Sequence, residues 1–200
     1  MALTQEQKVL KYIARHGIIR PRDLEEQEWS RSCLERLMQK GLIVRIGRGL
    51  YASVDARVTE RRGIAEACKL VPNGVVCLLS ALQFHNLTTQ LPFEVWLAID
   101  VKARKPGFDY PPLHVVRFSG AALTAGIQTS KVEGVTVRVY NVAKTVADCF
   151  KYRNKIGVDV AIEALRECRI KNLATVDELW RYASICRVAN VMQPYLQAVI

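Results

Sequence analysis

The stretch Ser30–Ala52, SRSCLERLMQKGLIVRIGRGLYA, decides how this chain is read. Ser30 is a residue that caps helix N-termini, because its hydroxyl accepts a backbone N–H two or three positions on. Leu34, Leu37 and Met38 follow at helical spacing and predict one apolar stripe. Gly41 then stops the helix by supplying a left-handed residue after its last turn. Two apolar runs come next, Leu42-Ile43-Val44 and Leu50-Tyr51-Ala52, joined by Arg45-Ile46-Gly47-Arg48-Gly49. That pattern predicts a β-hairpin with a glycine-rich tip carrying Arg45 and Arg48.

Upstream, Thr4 and Gln7 stand at capping-box spacing. Val9, Leu10, Ile13 and Ala14 form a helix face, and Gly17 ends it. Ile18-Ile19-Arg20 is short and β-branched, a small strand able to pair with the hairpin. Pro21 suits a first helical turn, so Arg22–Gln27 is expected as a short helix with Leu24 inward. Trp29 is expected to plug the turn between this helix and the next. Helix, short strand, helix, turn, helix and hairpin within residues 1–55 make a winged helix-turn-helix.

With Leu34, Leu37 and Met38 inward, the third helix turns Arg31, Ser32, Glu35, Arg36 and Gln39 outward. Its length suits a DNA major groove. Arginine forks onto guanine, Gln onto adenine, and Ser30 or Ser32 reaches a base edge or a phosphate. Glu35 is repelled by phosphate, so it either accepts from cytosine or holds a neighbouring arginine. Arg45 and Arg48 at the wing tip, and Arg22 at a helix start, are the expected phosphate contacts. The plainer alternative is a solvated helix surface.

The net charge is +10, and the excess is spread along the chain. Residues 1–55 carry 10 Lys and Arg against 7 Asp and Glu, and residues 56–200 carry 19 against 12. A basic balance of this kind fits a polyanion or an acidic protein. No apolar run reaches the roughly 18 residues needed to span a bilayer, and the start lacks a signal peptide's apolar core, so a cytoplasmic protein is expected. Cys33, Cys68, Cys77, Cys149, Cys168 and Cys186 are scattered singly, without metal spacing. They are expected as reduced thiols acting as small hydrophobes. His16, His85 and His114 are expected as structural histidines, and no cofactor or metal is implied.

Residues 56–200 are expected as a second domain, entered through a linker at 53–60. Arg57–Leu70 predicts a helix, and Ser80 a cap on a short helix Ala81–His85. Strands are expected at Glu94–Asp100 and Leu113–Ser119, with a basic loop Lys102–Gly107 between them. A hairpin of Ile127–Val132 and Val135–Tyr140 turns at Glu133-Gly134. Asn141 caps a helix Val142–Tyr152, Gly157 breaks, and helices Val158–Cys168 and Thr175–Cys186 precede a short apolar tail. The whole is α+β: a winged helix-turn-helix, then an antiparallel or mixed sheet with helices packed on it.

Several of these segments share a further pattern. The run Val139-Tyr140-Asn141-Val142-Ala143-Lys144-Thr145-Val146-Ala147-Asp148-Cys149-Phe150-Lys151-Tyr152-Arg153, the segment Gly157–Ala161 with Glu163-Ala164-Leu165, and Leu82–Leu87 resemble the AbiEi family. These are the antitoxin and transcriptional-regulator components of type IV toxin–antitoxin systems. The resemblance runs over nearly the whole chain, in the same domain order. It implies a repressor binding inverted repeats of double-stranded DNA in its own promoter, as two copies per site. It further implies a second half that counters a nucleotidyltransferase-like toxin, directly or through function alone.

Read for themselves, Lys144 and Asp148 stand one helical turn apart and can pair. With Arg153 they form a cluster able to clasp sheet to helices, or else a nucleotide or catalytic site. An enzyme of nucleic-acid processing would need clustered carboxylates for Mg²⁺. Asp100, Asp109, Asp148 and Asp159 are isolated, and GxxxxGK[ST] is absent, so no catalytic residues are assigned. A regulator with a small effector bound in its C-terminal domain stays open beside the antitoxin reading.

Overall fold

A computed structural model describes residues 3–199. The contacts divide the chain into two compact units. The first holds the chain up to Pro72, with Pro106–Pro111 and Lys131–Val137. The second holds Asn73–Lys105, Pro112–Ser130 and the chain from Arg138.

In the first unit, α1 (Gln5–His16) starts at a complete capping box: Thr4 Oγ1 accepts from the Gln7 amide, and the Gln7 side chain accepts from the Thr4 amide. Val9 and Ile13 are buried, while Ala14 of the expected face is exposed. Gly17 ends the helix at φ +67°. Ile19 forms a single bridge to Tyr51, with hydrogen bonds of 2.9 Å in both directions. The helix α2 (Pro21–Glu25) has Pro21 in its first turn and buries Leu24. Trp29 meets Tyr12 edge-on, with ring centroids 5.6 Å apart.

The third helix, α3 (Ser32–Gln39), begins two residues later than a Ser30 cap implies, with Arg31 in the cap position. Ser30 Oγ still accepts from the Ser32 amide, at 3.3 Å. Cys33, Leu34 and Leu37 are buried and Met38 half-buried. At the far end, Gly41 takes φ +66°. Its amide bonds the Met38 carbonyl, and the Leu42 amide bonds that of Leu37. This pair of bonds is a Schellman closure. The hairpin is β1 (Ile43–Gly47) and β2 (Leu50–Ser53), antiparallel. Its turn is only Arg48-Gly49. Arg45 is therefore not at the tip: it lies within β1, opposite Tyr51. The register slips between Arg45 and Gly47, so Ile46 extends the strand where a five-residue loop was expected.

The next helix, α4 (Arg62–Leu70), belongs to this unit. It starts five residues after the expected Arg57, because residues 57–59 carry no regular structure and a turn at 60–61 leads into the helix, the Arg62 amide bonding the Thr59 carbonyl. It buries Ile64, Ala65 and Cys68, and also Glu66. Lys69 at its end reaches Asp23 of α2 at 2.7 Å.

The five-stranded sheet, which lies in the second unit except for residues 131–137, is mixed, in the order β5-β4-β3-β7-β6. Its strands are β3 (Val75–Val76), β4 (Val95–Asp100), β5 (Leu113–Phe118), β6 (Ile127–Val132) and β7 (Val135–Tyr140). β3 pairs antiparallel with β4 and parallel with β7, and β4 pairs parallel with β5. The two-residue strand β3 is too short to show an alternation, yet it sits at the centre. Helix α5 (Leu78–Phe84) starts ahead of Ser80, which is not a cap. Ser80 is buried, and its hydroxyl accepts the Trp96 amide at 2.9 Å. After α6 (Gly120–Thr124) and the β6–β7 hairpin comes α7 (Val142–Lys151), capped by Asn141 Oδ1 on the Lys144 amide at 2.9 Å.

All residues of α7 from Ala143 to Phe150 are buried, the mark of a helix enclosed on every side. It packs against α5, α8 (Arg153–Ile156), α9 (Val158–Ile170), α10 (Val176–Ile185) and α11 (Ala189–Val199). Leu179, Ala183 and Cys186 are buried as the α10 stripe predicts. The tail is not a short apolar end but the helix α11, which places Met192 and Leu196 in the core. The histidines are held structurally: His16 bonds the Tyr12 carbonyl and stacks on its ring, His85 bonds the Tyr140 carbonyl, and His114 stacks on Trp96.

Candidate nucleic-acid interface

α3 buries Cys33, Leu34 and Leu37, so its other side must face water. Arg31, Ser32, Glu35, Arg36 and Gln39 are all exposed, and so is Lys40 beyond them. Ser30 is exposed too, its hydroxyl 2.8 Å from that of Ser32. Arg48 occupies the wing turn, and Arg22 lies exposed in the first turn of α2. Arg45, on the strand, bonds the Gly47 carbonyl through Nε at 3.2 Å.

The arginines are not loose. Arg31 Nε lies 2.5 Å from Glu25 of α2, and Arg36 Nε 3.6 Å from Glu6 of α1. Lys40 Nζ lies 2.5 Å from the same Glu6. Arg22 pairs along its own helix with Glu26 at 3.3 Å. The hydrogen bond from Lys40 holds the Glu6 carboxyl below its ordinary range, and the bond from Arg31 does the same for Glu25. Of the two roles expected of Glu35, accepting from cytosine or steadying a neighbouring arginine, the second falls to Glu25 and Glu6. Glu25 stands six positions from Arg31 and Glu6 thirty from Arg36, neither at a helical spacing, and Lys40 pairs across 34 positions, so no spacing rule could find them. Such exposed pairs are weak and exchangeable, and a phosphate can take the arginine from either glutamate.

The first unit also holds a buried carboxylate. Asp23 accepts from the Arg20 amide at 2.7 Å and from Arg20 Nη2 at 3.2 Å, and it pairs with Lys69. Burial pushes its carboxyl up, but Lys69 and Arg20 outweigh that and hold it below the ordinary value. Helices α2 and α4 are thereby tied together.

In the second unit, Lys144 and Asp148 are wholly buried, Nζ standing 2.7 and 2.6 Å from the two carboxylate oxygens. Lys144 Nζ also lies 4.1 Å from the centroid of the Tyr140 ring, and the Cys186 thiol donates to Asp148 at 3.2 Å. Burial pushes the Asp148 carboxyl up, against the pull of Lys144. Arg153 is not part of this cluster. It starts α8, and its Nη1 bonds the Phe150 carbonyl at the end of α7.

Residues 7–54 match the family described as transcriptional regulator, AbiEi antitoxin. The AbiEi match covers α1 through the wing, the elements that present the exposed arginines. No curated protein matches the chain. Among solved structures, the crystal structure of the RV2827C protein from Mycobacterium tuberculosis superposes with a TM-score of 0.59. It covers 100% of this chain and 81% of that one, at 14% identity. At that identity the likeness is one of fold. Among the described residues, no helix is long and apolar enough to cross a membrane.

Proposed function

We propose that this AbiEi-like chain is a sequence-specific repressor that binds duplex DNA through α3 and the wing. The observation that carries the reading is the exposed row Arg31, Ser32, Glu35, Arg36 and Gln39, opposite a wholly apolar buried side. In the groove, Arg31 and Arg36 leave Glu25 and Glu6 for base edges, and Gln39 reads adenine. Arg48, with Arg22, Arg45 and Ser30 nearer the backbone, meets phosphates. The AbiEi match supports regulation, and the family's antitoxin role supports a toxin as the functional partner. The finer reading is an operator of inverted repeats in the protein's own promoter, occupied by two copies. The second half would then oppose a nucleotidyltransferase-like toxin of a type IV system.

A gel shift on the protein's own upstream DNA tests the first part; equal affinity for a scrambled duplex rejects it. Co-expression with the product of the adjacent gene tests the second: restored growth is expected, and unrelieved toxicity rejects the antitoxin role.

A further inference from the structure

Within the first unit, a cleft of about 410 Å³ opens between the end of α1, the segment Ser53–Arg57 after the wing, and the start of α4. That volume is in the range of small-ligand sites, which span about 300–1,000 Å³. Ile13 and Ala14 give it an apolar wall, and Arg57, Arg62 and Glu133 a charged one. The formal charges there cancel, Arg57 and Arg62 against Asp55 and Glu133, but the hydrogen bonds do not. Glu133 gives one oxygen to the amide and hydroxyl of Thr59, at 2.7 and 2.8 Å. Its other oxygen lies 2.8 Å from Arg62 Nε, whose N–H is not aligned on it. Arg62 Nη1 is buried with no hydrogen-bond partner. Arg57, exposed, makes no ion pair among the described residues.

A guanidinium carries five N–H donors in a planar fork, and a buried donor without an acceptor is unfavourable. An anionic oxygen entering the cleft supplies that acceptor after a small rotation of Arg62. An adjoining cleft of about 550 Å³ shares Arg57 and Glu133 and adds Arg61 and Lys131 against Glu60, so the positive excess lies on that side. We propose that this cleft binds a small organic anion, its carboxylate or phosphate head between Arg57 and Arg62 and its apolar body against Ile13 and Ala14.

The test titrates the isotope-labelled full chain with benzoate, phenyl phosphate and inorganic phosphate, following amide shifts by NMR. Saturable binding of at least one aromatic anion is expected, with the largest shifts at Ala14, Ala56, Arg57 and Arg62. Inorganic phosphate is expected to bind about tenfold more weakly, for want of the apolar body. Arg57→Ala, which removes no observed contact, lowers the affinity about tenfold. Ala14→Trp, at an exposed helix position, fills the cleft and abolishes binding. Thermal melts of both variants confirm that they fold. No saturable binding of either aromatic anion overturns the proposal. So do shifts confined to other residues, equal affinity for inorganic phosphate, or unchanged affinity in either folded variant.

Discussion

Gly17 lies against the backbone of Glu133 so closely that a Cβ on Gly17 would sit 1.6 Å from the Glu133 carbonyl oxygen. The approach is mutual: a Cβ on Gly134 would meet the backbone of His16 and Gly17 at 2.6–2.7 Å. The glycine that ends α1 thus does two things. Its φ of +67° closes the helix, and its missing side chain admits a hairpin turn more than a hundred residues away in sequence.

Gly17→Ala should therefore cost at least about 3 kcal/mol, since backbone must move to make room. Gly41→Ala is the control. Gly41 has the same sign of φ but nothing within 4 Å of its would-be Cβ, so the cost is the left-handed penalty alone, about 1–2 kcal/mol. Urea unfolding of the two variants separates the effects, and equal losses would contradict the close approach.

Arg31→Ala and Arg36→Ala should each weaken operator binding about tenfold or more and relax sequence preference. Arg48→Ala should weaken all duplexes alike and lower the salt slope by about one. Glu25→Gln removes the acid that competes for Arg31 and should tighten DNA binding about twofold. Fluorescence anisotropy at several salt concentrations reads all four.

Asp23 should make stability depend on acid pH. Its folded carboxyl sits below the ordinary value, so the unfolded chain takes up the proton first. The contribution is complete above the unfolded value of about 3.9 and is lost as pH falls through the lower folded value. Asp23→Asn should cost about 3 kcal/mol at neutral pH by leaving Lys69 unpaired, and should flatten the acid limb. Denaturant unfolding between acid and neutral pH, run on both proteins, checks the sign.

Breaking the pair in the second unit should cost more than deleting it. Lys144→Met or Asp148→Leu alone leaves one buried charge, at about 3–5 kcal/mol, whereas the double variant leaves none and should recover part of that loss. A double-mutant cycle measures the difference.

The cysteines should be unreactive while the chain is folded. All six are buried. Burial pushes the Cys168 thiol up to about 11 and that of Cys186 up to about 12, and thiolate is the reactive form. A thiol reagent at neutral pH should label none of them natively and all six in denaturant.

Local chemistry made much of this fold readable. Thr4 and Asn141 each cap the helix that follows, and Gly41 closes α3, because a cap acts within four residues. The β6–β7 hairpin has the expected bounds, since alternation and a Glu-Gly turn suffice to define it. The exposed row on α3 followed from its apolar stripe. Other features could not be read in this way. Ser80 looked like a cap until Trp96 claimed its hydroxyl, and α11 looked like a tail until α7, α9 and α10 gave it a surface to cover. The chain's pattern by itself determined the caps, the stripes and the outward arginines, all set by neighbours a few residues away. Only tertiary structure decided that Glu6 and Glu25 hold those arginines, that Lys144 and Asp148 are sealed from water, and that Gly17 must lack a side chain. Each of those depends on groups brought together by packing, and packing partners leave no mark at a fixed spacing.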